Sequence, residues 1–309
     1  MTKPRIAILG IFVADLAFRA KRMPVIGETL IGEGFALGPG GKGSNQSVAA
    51  ARAGGDVSFI TRIGRDTFGE IALKTWQADG IDTSQAAFSD AAPTGAAFIF
   101  VSSETGDNAI IVETGASGTI TPEYVSNSEA AIKRAKVFIT QLETSAAAGR
   151  RGLELARKHG VTTVFNPAPA AKIDPSIYAL CDYVTPNENE VEAITGITVH
   201  SIDDARRAGD AVLKLGTRSA LITLGAQGVL LHSKEQSVHV PTYKVKVVET
   251  TGAGDAFNGS FAVAIGEGRS PVEAARFGCA AAALSVTKAG TAPSMPMRGE
   301  IEAMMAGAH

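Results

Sequence analysis

The segment best suited to do chemistry is Glu249-Thr250-Thr251-Gly252-Ala253-Gly254-Asp255. Gly252 and Gly254 permit a tight bend and leave room beside the backbone. An amphipathic run follows, so a helix starts at the bend. Its first N–H groups lack intrahelical partners, and its dipole favours an anion. Such groups stabilise negative charge on a migrating phosphoryl group. Asp255 sits at the same bend, where a carboxylate can take a proton from an attacking hydroxyl. The plainer reading is a helix-capping aspartate, a common use of that residue.

Four further segments carry weaker signals. Gly38-Pro39-Gly40-Gly41-Lys42-Gly43-Ser44-Asn45-Gln46 reads as a glycine turn opening a helix. It contains GxGxxG, but it does not follow the first strand, and no ribose-binding acid stands at the required distance. Gly43 follows Lys42 where a P-loop needs Ser or Thr. The loop suits hydroxyl binding through backbone N–H groups and Asn45. Thr185-Pro186-Asn187-Glu188-Asn189-Glu190 ends a strand, the place where α/β proteins bind ligands. Asn187 and Glu190 suit a hydrated Mg²⁺, which needs few protein ligands. Taken alone, the segment reads better as a helix start. Leu221 to Gly228 is a strand running into a glycine-flanked turn, which can receive phosphate or adenine through backbone groups, although most strand–turn pairs look like this. Asp15 follows the first strand and Glu143 ends another; each carboxylate can accept sugar hydroxyls.

The elements that must position these residues follow an alternating pattern. Strands are expected at 6–10, 57–63, 137–142, 162–165, 182–185 and 219–224, with helical patterns between most of them. That alternation predicts a parallel sheet with helices on both faces. Residues 228–232 and 236–240 read as antiparallel, 244–248 as extended, and 254–266, 271–287 and 298–306 as helices. Extended pieces near 13–20 and 28–37, and a hairpin of 96–101 with 109–113, break the rhythm. They predict a small β lid, 13–37 with 95–115, inserted into an α/β body of 1–12, 38–94 and 116–309.

Composition narrows the class. The chain has 309 residues, 45% hydrophobic and 19% charged, with a net charge of −2. No basic run marks a nucleic-acid or membrane partner. No apolar stretch approaches the ~20 residues of a membrane span. Cys181 and Cys279 lie far apart with no metal-ligand spacing, consistent with a reduced, cytoplasmic setting. The histidines, 159, 200, 232, 239 and 309, form no nucleophile–base pattern, and no GxSxG is present.

These motifs, in this order, resemble the ribokinase-like (phosphofructokinase-B-type) carbohydrate kinases. Gly40-Gly41-Lys42-Gly43-Ser44-Asn45 and Thr250-Thr251-Gly252-Ala253-Gly254-Asp255 carry the resemblance as a pair. Gln141-Leu142-Glu143, Asn166-Pro167-Ala168-Pro169-Ala170 and Thr185-Pro186-Asn187-Glu188 are most similar to the ribokinases within that family. The resemblance implies a Rossmann-like αβα sandwich with a β lid, and pairing of lids in a homodimer. It implies transfer of the ATP γ-phosphoryl group to a primary sugar hydroxyl, with ribose giving ribose 5-phosphate.

Residue roles follow from the same resemblance. Asp255 is implied as the base, with the N–H groups of Gly252, Ala253, Gly254 and Asp255 as an anion hole. Asp15, Gly41, Lys42, Asn45, Glu143 and Asp255 are implied at the sugar. Asn187, Thr223, Gly225, Gly228 and Gly254 are implied at ATP, with Glu190 near Mg²⁺. A K⁺ ion is implied beside Glu249, Thr251, Ser285, Lys288, Gly290 and Ser294.

Two departures stand out. Ribokinases carry Asn-Ala-Asp after the first strand, and this chain has Val13-Ala14-Asp15. Glu249 stands where Asp is usual. Val13 keeps a nucleoside kinase or a fructose-type kinase in view. Outside the enzymes, a sugar-sensing protein on a retired kinase fold is the alternative, though it would need no base at 255. A nicotinamide oxidoreductase rests only on the GxGxxG string.

Overall fold

A computed structural model describes residues 2–307, so Met1 and His309 lie outside the described residues. Strands are β1 (Arg5–Leu9), β2 (Val13–Ala20), β3 (Gly34–Gly40), β4 (Asp56–Gly64), β5 (Ala86–Ser89), β6 (Thr94–Ser102), β7 (Asn108–Gly115), β8 (Val137–Gln141), β9 (Thr162–Asn166), β10 (Tyr183–Val184), β11 (Ser219–Thr223), β12 (Val229–Ser233) and β13 (Ser237–Val240). Helices are α1 (Lys42–Arg52), α2 (Thr67–Ala78), α3 (Pro122–Asn127), α4 (Glu129–Arg134), α5 (Ala146–Lys158), α6 (Glu188–Thr195), α7 (Ile202–Lys214), α8 (Ala253–Gly266), α9 (Pro271–Ser285) and α10 (Arg298–Met305).

Nine strands form one sheet in the order β13-β12-β11-β10-β9-β8-β1-β4-β5. Pairing is parallel from β5 to β11 and antiparallel across β11, β12 and β13. The central strands are largely buried, because a parallel sheet is covered on both faces. Successive side chains point to opposite faces. Ile6 and Ile8 of β1 therefore join a core with α1, α8 and α9, while Ala7 and Leu9 join one with α5 and α7. This is the expected αβα sandwich.

A second, four-stranded sheet runs β3-β2-β6-β7, with β2 and β6 parallel and the outer pairs antiparallel. Its existence matches the expected lid sheet. Its bounds differ in one useful respect: β3 runs through Gly40, three residues beyond the expected edge at 37. The expected glycine turn at 38–43 is thus mostly strand. Only Gly41, at φ 86°, makes the turn into α1, which begins at Lys42 rather than Ser44. A Cβ on Gly41 would meet the Ile11 carbonyl oxygen at 2.7 Å, so both its conformation and its space call for glycine.

Strand β3 also starts at Gly34 rather than 28; most other boundaries move by a residue or two, and residues 244–248 form no strand. Strand β5 and helices α3 and α4 escape the sequence reading because they are short and weakly periodic.

Candidate active site

The site forms where β1, β8 and β9 end, against the first turns of α1 and α8. Gly252 is the N-cap of α8 in the left-handed conformation, φ 84°, and no side chain caps that end. Asp255 is therefore no cap. Its two carboxylate oxygens accept from α1: Oδ2 from Nδ2 of Asn45 and Oδ1 from Nε2 of Gln46, each at 3.0 Å. Asp255 is only 6% exposed, yet it lines a cleft of about 140 Å³. The cleft is shared with Lys42, Asn187, Glu190, Thr223, Gly252 and Gly254.

Within the expected anion hole, the Ala253 N–H donates to the Thr250 carbonyl at 3.2 Å. That bond closes the bend. The amides of Gly252, Gly254 and Asp255 make no such backbone bond among the described residues. They are the ones free for a ligand. Gly254 carries open space where a side chain would stand.

Three carboxylates, Asp255, Glu143 and Glu190, act on the Lys42 ammonium, and a fourth, Asp15, lies near Asp255. Burial pushes Asp15 up to about 6, with the charges of Asp255 and Glu249 adding to it. Burial likewise pushes Glu143 up to about 7; Lys42 opposes that shift, and Asp255 and Asp15 reinforce it. Glu190 and Asp255 are also raised, burial first. Burial disfavours the charge on Lys42, but Asp255, Glu143 and Glu190 together raise it above its ordinary value. The backbone N–H of Lys42 donates to Oε2 of Glu143 at 2.7 Å. Asp15 projects from β2 over Gly40, where a Cβ would collide with its carboxylate. The glycine is required by that packing. Asp15, Lys42, Asn45, Glu143 and Asp255 thus converge from four points of the sequence, Lys42 and Asn45 sharing α1.

The nucleotide-side residues are only partly brought together. Asn187, Thr223 and Gly254 line the cleft. Asn187 and Glu190 also form a capping box on α6: Asn187 Oδ1 accepts from the Glu190 N–H at 2.8 Å, and Glu190 Oε2 accepts from the Asn187 N–H at 2.9 Å. The helix-start reading of that segment is therefore real. Nδ2 of Asn187 and Oε1 of Glu190 remain for a ligand. Gly225 and Gly228 lie in the turn between β11 and β12 and do not line the cleft. Gly228 is held by backbone packing, since a Cβ there would strike the Val240 carbonyl.

Of the expected cation residues, Glu249 and Gly290 are in direct contact. Glu249 Oε2 accepts from the Gly290 N–H at 2.9 Å, which ties segment 249–251 to the loop after α9. The hydroxyls of Ser285 and Ser294 donate to the carbonyls of Ala282 and Thr291 at 2.9 and 2.8 Å, leaving their oxygen lone pairs. The Lys288 ammonium turns away to Glu300, so only its backbone faces inward. No cluster of three His, Cys, Asp or Glu suited to a metal occurs among the described residues.

Several site residues have no assigned role in the sequence reading. Gln46 and Asn166 join through a 3.2 Å bond, and Asn166 donates to the Thr185 carbonyl at 2.9 Å. Thr185 donates to Asn258, and Asn258 to the Gly254 carbonyl at 2.8 Å. One signal was legible: Gln141 and Asn166 are amides ending two largely buried strands.

An αβα sandwich with an added β sheet, closing over a buried acid at a helix N-terminus, defines the class of sugar phosphotransferases. A sequence model of the pfkB family carbohydrate kinases matches residues 3–298, and the chain belongs to that family. It is 39% identical to a ribokinase of Haemophilus influenzae over 96% of each chain. It is 35% identical to a deoxyribokinase of Salmonella typhi over 94% of this chain and 95% of that one. The solved structure of Arabidopsis thaliana ribokinase complexed with ribose and ATP superposes with a TM-score of 0.93 at 28% identity, covering 98% and 99% of the two chains.

Proposed function

We propose that this sugar kinase transfers the γ-phosphoryl group of ATP to the primary hydroxyl of ribose. The observation that carries the reading is Asp255, fixed by Asn45 and Gln46 at the unblocked N-terminus of α8 and facing the cleft. The sugar hydroxyl attacks the γ-phosphorus, its proton passes to Asp255, and ADP leaves. Free amides of Gly252, Gly254 and Asp255, with Lys42, meet the charge on the migrating group. Asp15, Asn45, Glu143 and the Gly41–Lys42 backbone hold the remaining hydroxyls, and Asn187 and Thr223 face the nucleotide. Mg²⁺ would balance phosphate charge beside Glu190, the one carboxylate on that wall of the cleft. K⁺ would sit among Glu249, Thr251, Ser285, Lys288, Gly290 and Ser294. There it would steady the loop that abuts the anion hole.

The small sheet would act as the lid that excludes water. Its edge strands β3 and β7 expose Phe35, Leu37, Ile110, Ile111 and Val112. Such edges favour a partner, and a homodimer through the lids accounts for them. No helix among the described residues is long and apolar enough to cross a membrane.

A second reading has its own observation. Val13, 3% exposed, packs with Ile11, Ala97 and Ile99 in a small apolar cluster separate from the main cores. Val13 and Asp15 lie two residues apart on β2 and share a face. A deoxypentose, with one hydroxyl fewer to satisfy there, fits that corner as well as ribose.

The deciding experiment is Asp255→Asn, assayed by ADP release with a panel of ribose, 2-deoxyribose, fructose and nucleosides. Turnover should fall by about three orders of magnitude or more, with ATP affinity kept. Near-normal turnover removes Asp255 as the base. Sugar binding without ADP release in the unmodified protein would instead identify a sugar sensor.

A further inference from the structure

The polar groups behind Asp255 extend beyond the residues given roles above. Gln46 on α1 donates from Nε2 to Oδ1 of Asp255 at 3.0 Å and to Oδ1 of Asn166 at 3.2 Å. Its Oε1 accepts from Nε2 of Gln141, the last residue of β8. Gln46 and Gln141 are 0% and 1% exposed, so bulk water does not compete. A carboxylate only accepts hydrogen bonds. Gln46 must therefore turn its NH₂ toward Asp255. Its carbonyl end then faces Gln141, which answers with its own NH₂. The donor direction is fixed along the row: Gln141 to Gln46 to Asp255.

The row ends on an anomaly. Oε1 of Gln141 is buried without a partner among the described residues. It packs on Gly10, where a Cβ would lie 2.5 Å from that oxygen. A buried amide oxygen left unpaired is costly, and an apolar residue at 141 would avoid that cost. Stability alone does not explain the amide.

We propose that Gln46 and Gln141 are positioning residues: Gln46 holds the Asp255 carboxylate in one orientation, and Gln141 anchors the far end of Gln46 so that the amide stays seated on it. The proposal rests on Asp255 acting as the base. Asn45 takes one carboxylate oxygen and Gln46 the other, so the group cannot rotate and its remaining lone pairs keep one aim. Without Gln141 the Gln46 carbonyl is left buried without its donor, and the amide is held toward Asp255 by its bonds to Asp255 and Asn166 alone.

A second effect follows from the same bonds. The charged groups facing Asp255 are Lys42 from α1, Asp15 from β2, Glu143 beyond β8 and Glu190 from α6. Burial disfavours its ionised form, and Lys42, Gln46 and Asn45 oppose that. A donor on the carboxylate favours that form. Removing the donor raises the pKa of Asp255, and the acid limb of the rate profile moves to higher pH.

The test compares Gln46→Leu, Gln141→Leu and Asp255→Asn in the full-length protein. The readouts are kcat against pH, nucleotide affinity and thermal melting. Gln46→Leu should lower kcat at neutral pH by about 10–100-fold, shift the acid limb up by about one unit, and recover part of the loss at alkaline pH. Gln141→Leu should shift the limb in the same direction with a loss of roughly 3–10-fold. Nucleotide affinity should stay within about twofold in both. An unshifted limb in either folded variant overturns the proposal, whether kcat is kept or falls equally at every pH. If Gln46→Leu does not fold, Gln141→Leu decides alone. Near-normal turnover in Asp255→Asn overturns the base and the relay together. A dead Asp255→Asn beside unshifted glutamine variants overturns only the relay.

Discussion

Asn45 and Asp255, 210 residues apart, are joined by a 3.0 Å hydrogen bond between the first turns of α1 and α8. The bond depends on how closely the two helices approach. Gly259, one turn further along α8, lies against α1, and a Cβ there would sit 2.5 Å from the Gln46 carbonyl oxygen and 2.8 Å from the Ala50 nitrogen. Backbone atoms cannot yield as a flexible side chain would.

Gly259→Ala should therefore push α1 away from α8. We expect a loss of about 1–3 kcal/mol in urea unfolding. The larger effect should be on kcat, because Asn45 and Gln46 would be drawn off Asp255. Unchanged turnover would show that the helices repack without disturbing the base.

The carboxylate cluster makes a separate prediction about pH. Asp15 is raised to about 6 and Glu143 to about 7, above their unfolded values of 3.8 and 4.5. The native state then holds more protons than the unfolded chain between about pH 4 and 7. Their contribution to stability is full below pH 4 and is lost as pH rises through 7. Glu143→Gln removes one charge from the cluster. It should stabilise the ligand-free protein by about 1–3 kcal/mol at pH 8 and change little at pH 4, as read by melting temperature. The same variant should weaken sugar binding, which needs the acceptor. Equal stabilisation at both pH values would refute the cause.

These sites show how far the sequence carried the argument. The αβα alternation was legible because the strands are apolar runs set between periodic helices. The lid sheet was legible because its strands break that alternation. Asp255 was legible through its glycines. Gln46 was not, since an amide in an alanine-rich helix looks like any polar residue until β8 and α8 are packed against it. The Asn187–Glu190 segment was ambiguous for a physical reason: one set of atoms both caps α6 and lines the cleft. Gly228 is ambiguous in a similar way, because a glycine demanded by the Val240 backbone has the same appearance in sequence as one kept for a nucleotide.

Val13 offers a test of specificity. The apolar cluster of Ile11, Val13, Ala97 and Ile99 gives no partner to a sugar hydroxyl beside Asp15. Val13→Asn would supply one. The ratio of kcat/KM for ribose to that for 2-deoxyribose should rise by about 10–100-fold. An unchanged ratio would place Val13 in packing alone.

Arg52 sets the last prediction, because it joins the helix of the sugar site to the loop beside the base. Its guanidinium pairs with Asp79 at 2.7 Å and donates to the carbonyls of Ala292, Pro293 and Met295 at 3.2, 3.3 and 2.9 Å. That loop also carries Thr291, whose hydroxyl donates to the Pro39 carbonyl in β3 at 2.8 Å. Arg52 thus holds α1, the 291–295 loop and the root of the small sheet in register. Asp79 has a side chain only 6% exposed, so Arg52→Leu leaves a buried charge unpaired. That should cost about 3–5 kcal/mol in denaturant unfolding. Arg52→Leu combined with Asp79→Leu should regain a good part of it, since no lone charge remains. The three carbonyls stay unbonded in the double variant, so the loop stays loose and the KM for sugar stays raised. Recovery of stability without recovery of KM would separate the two roles of Arg52; recovery of both would assign it to stability alone.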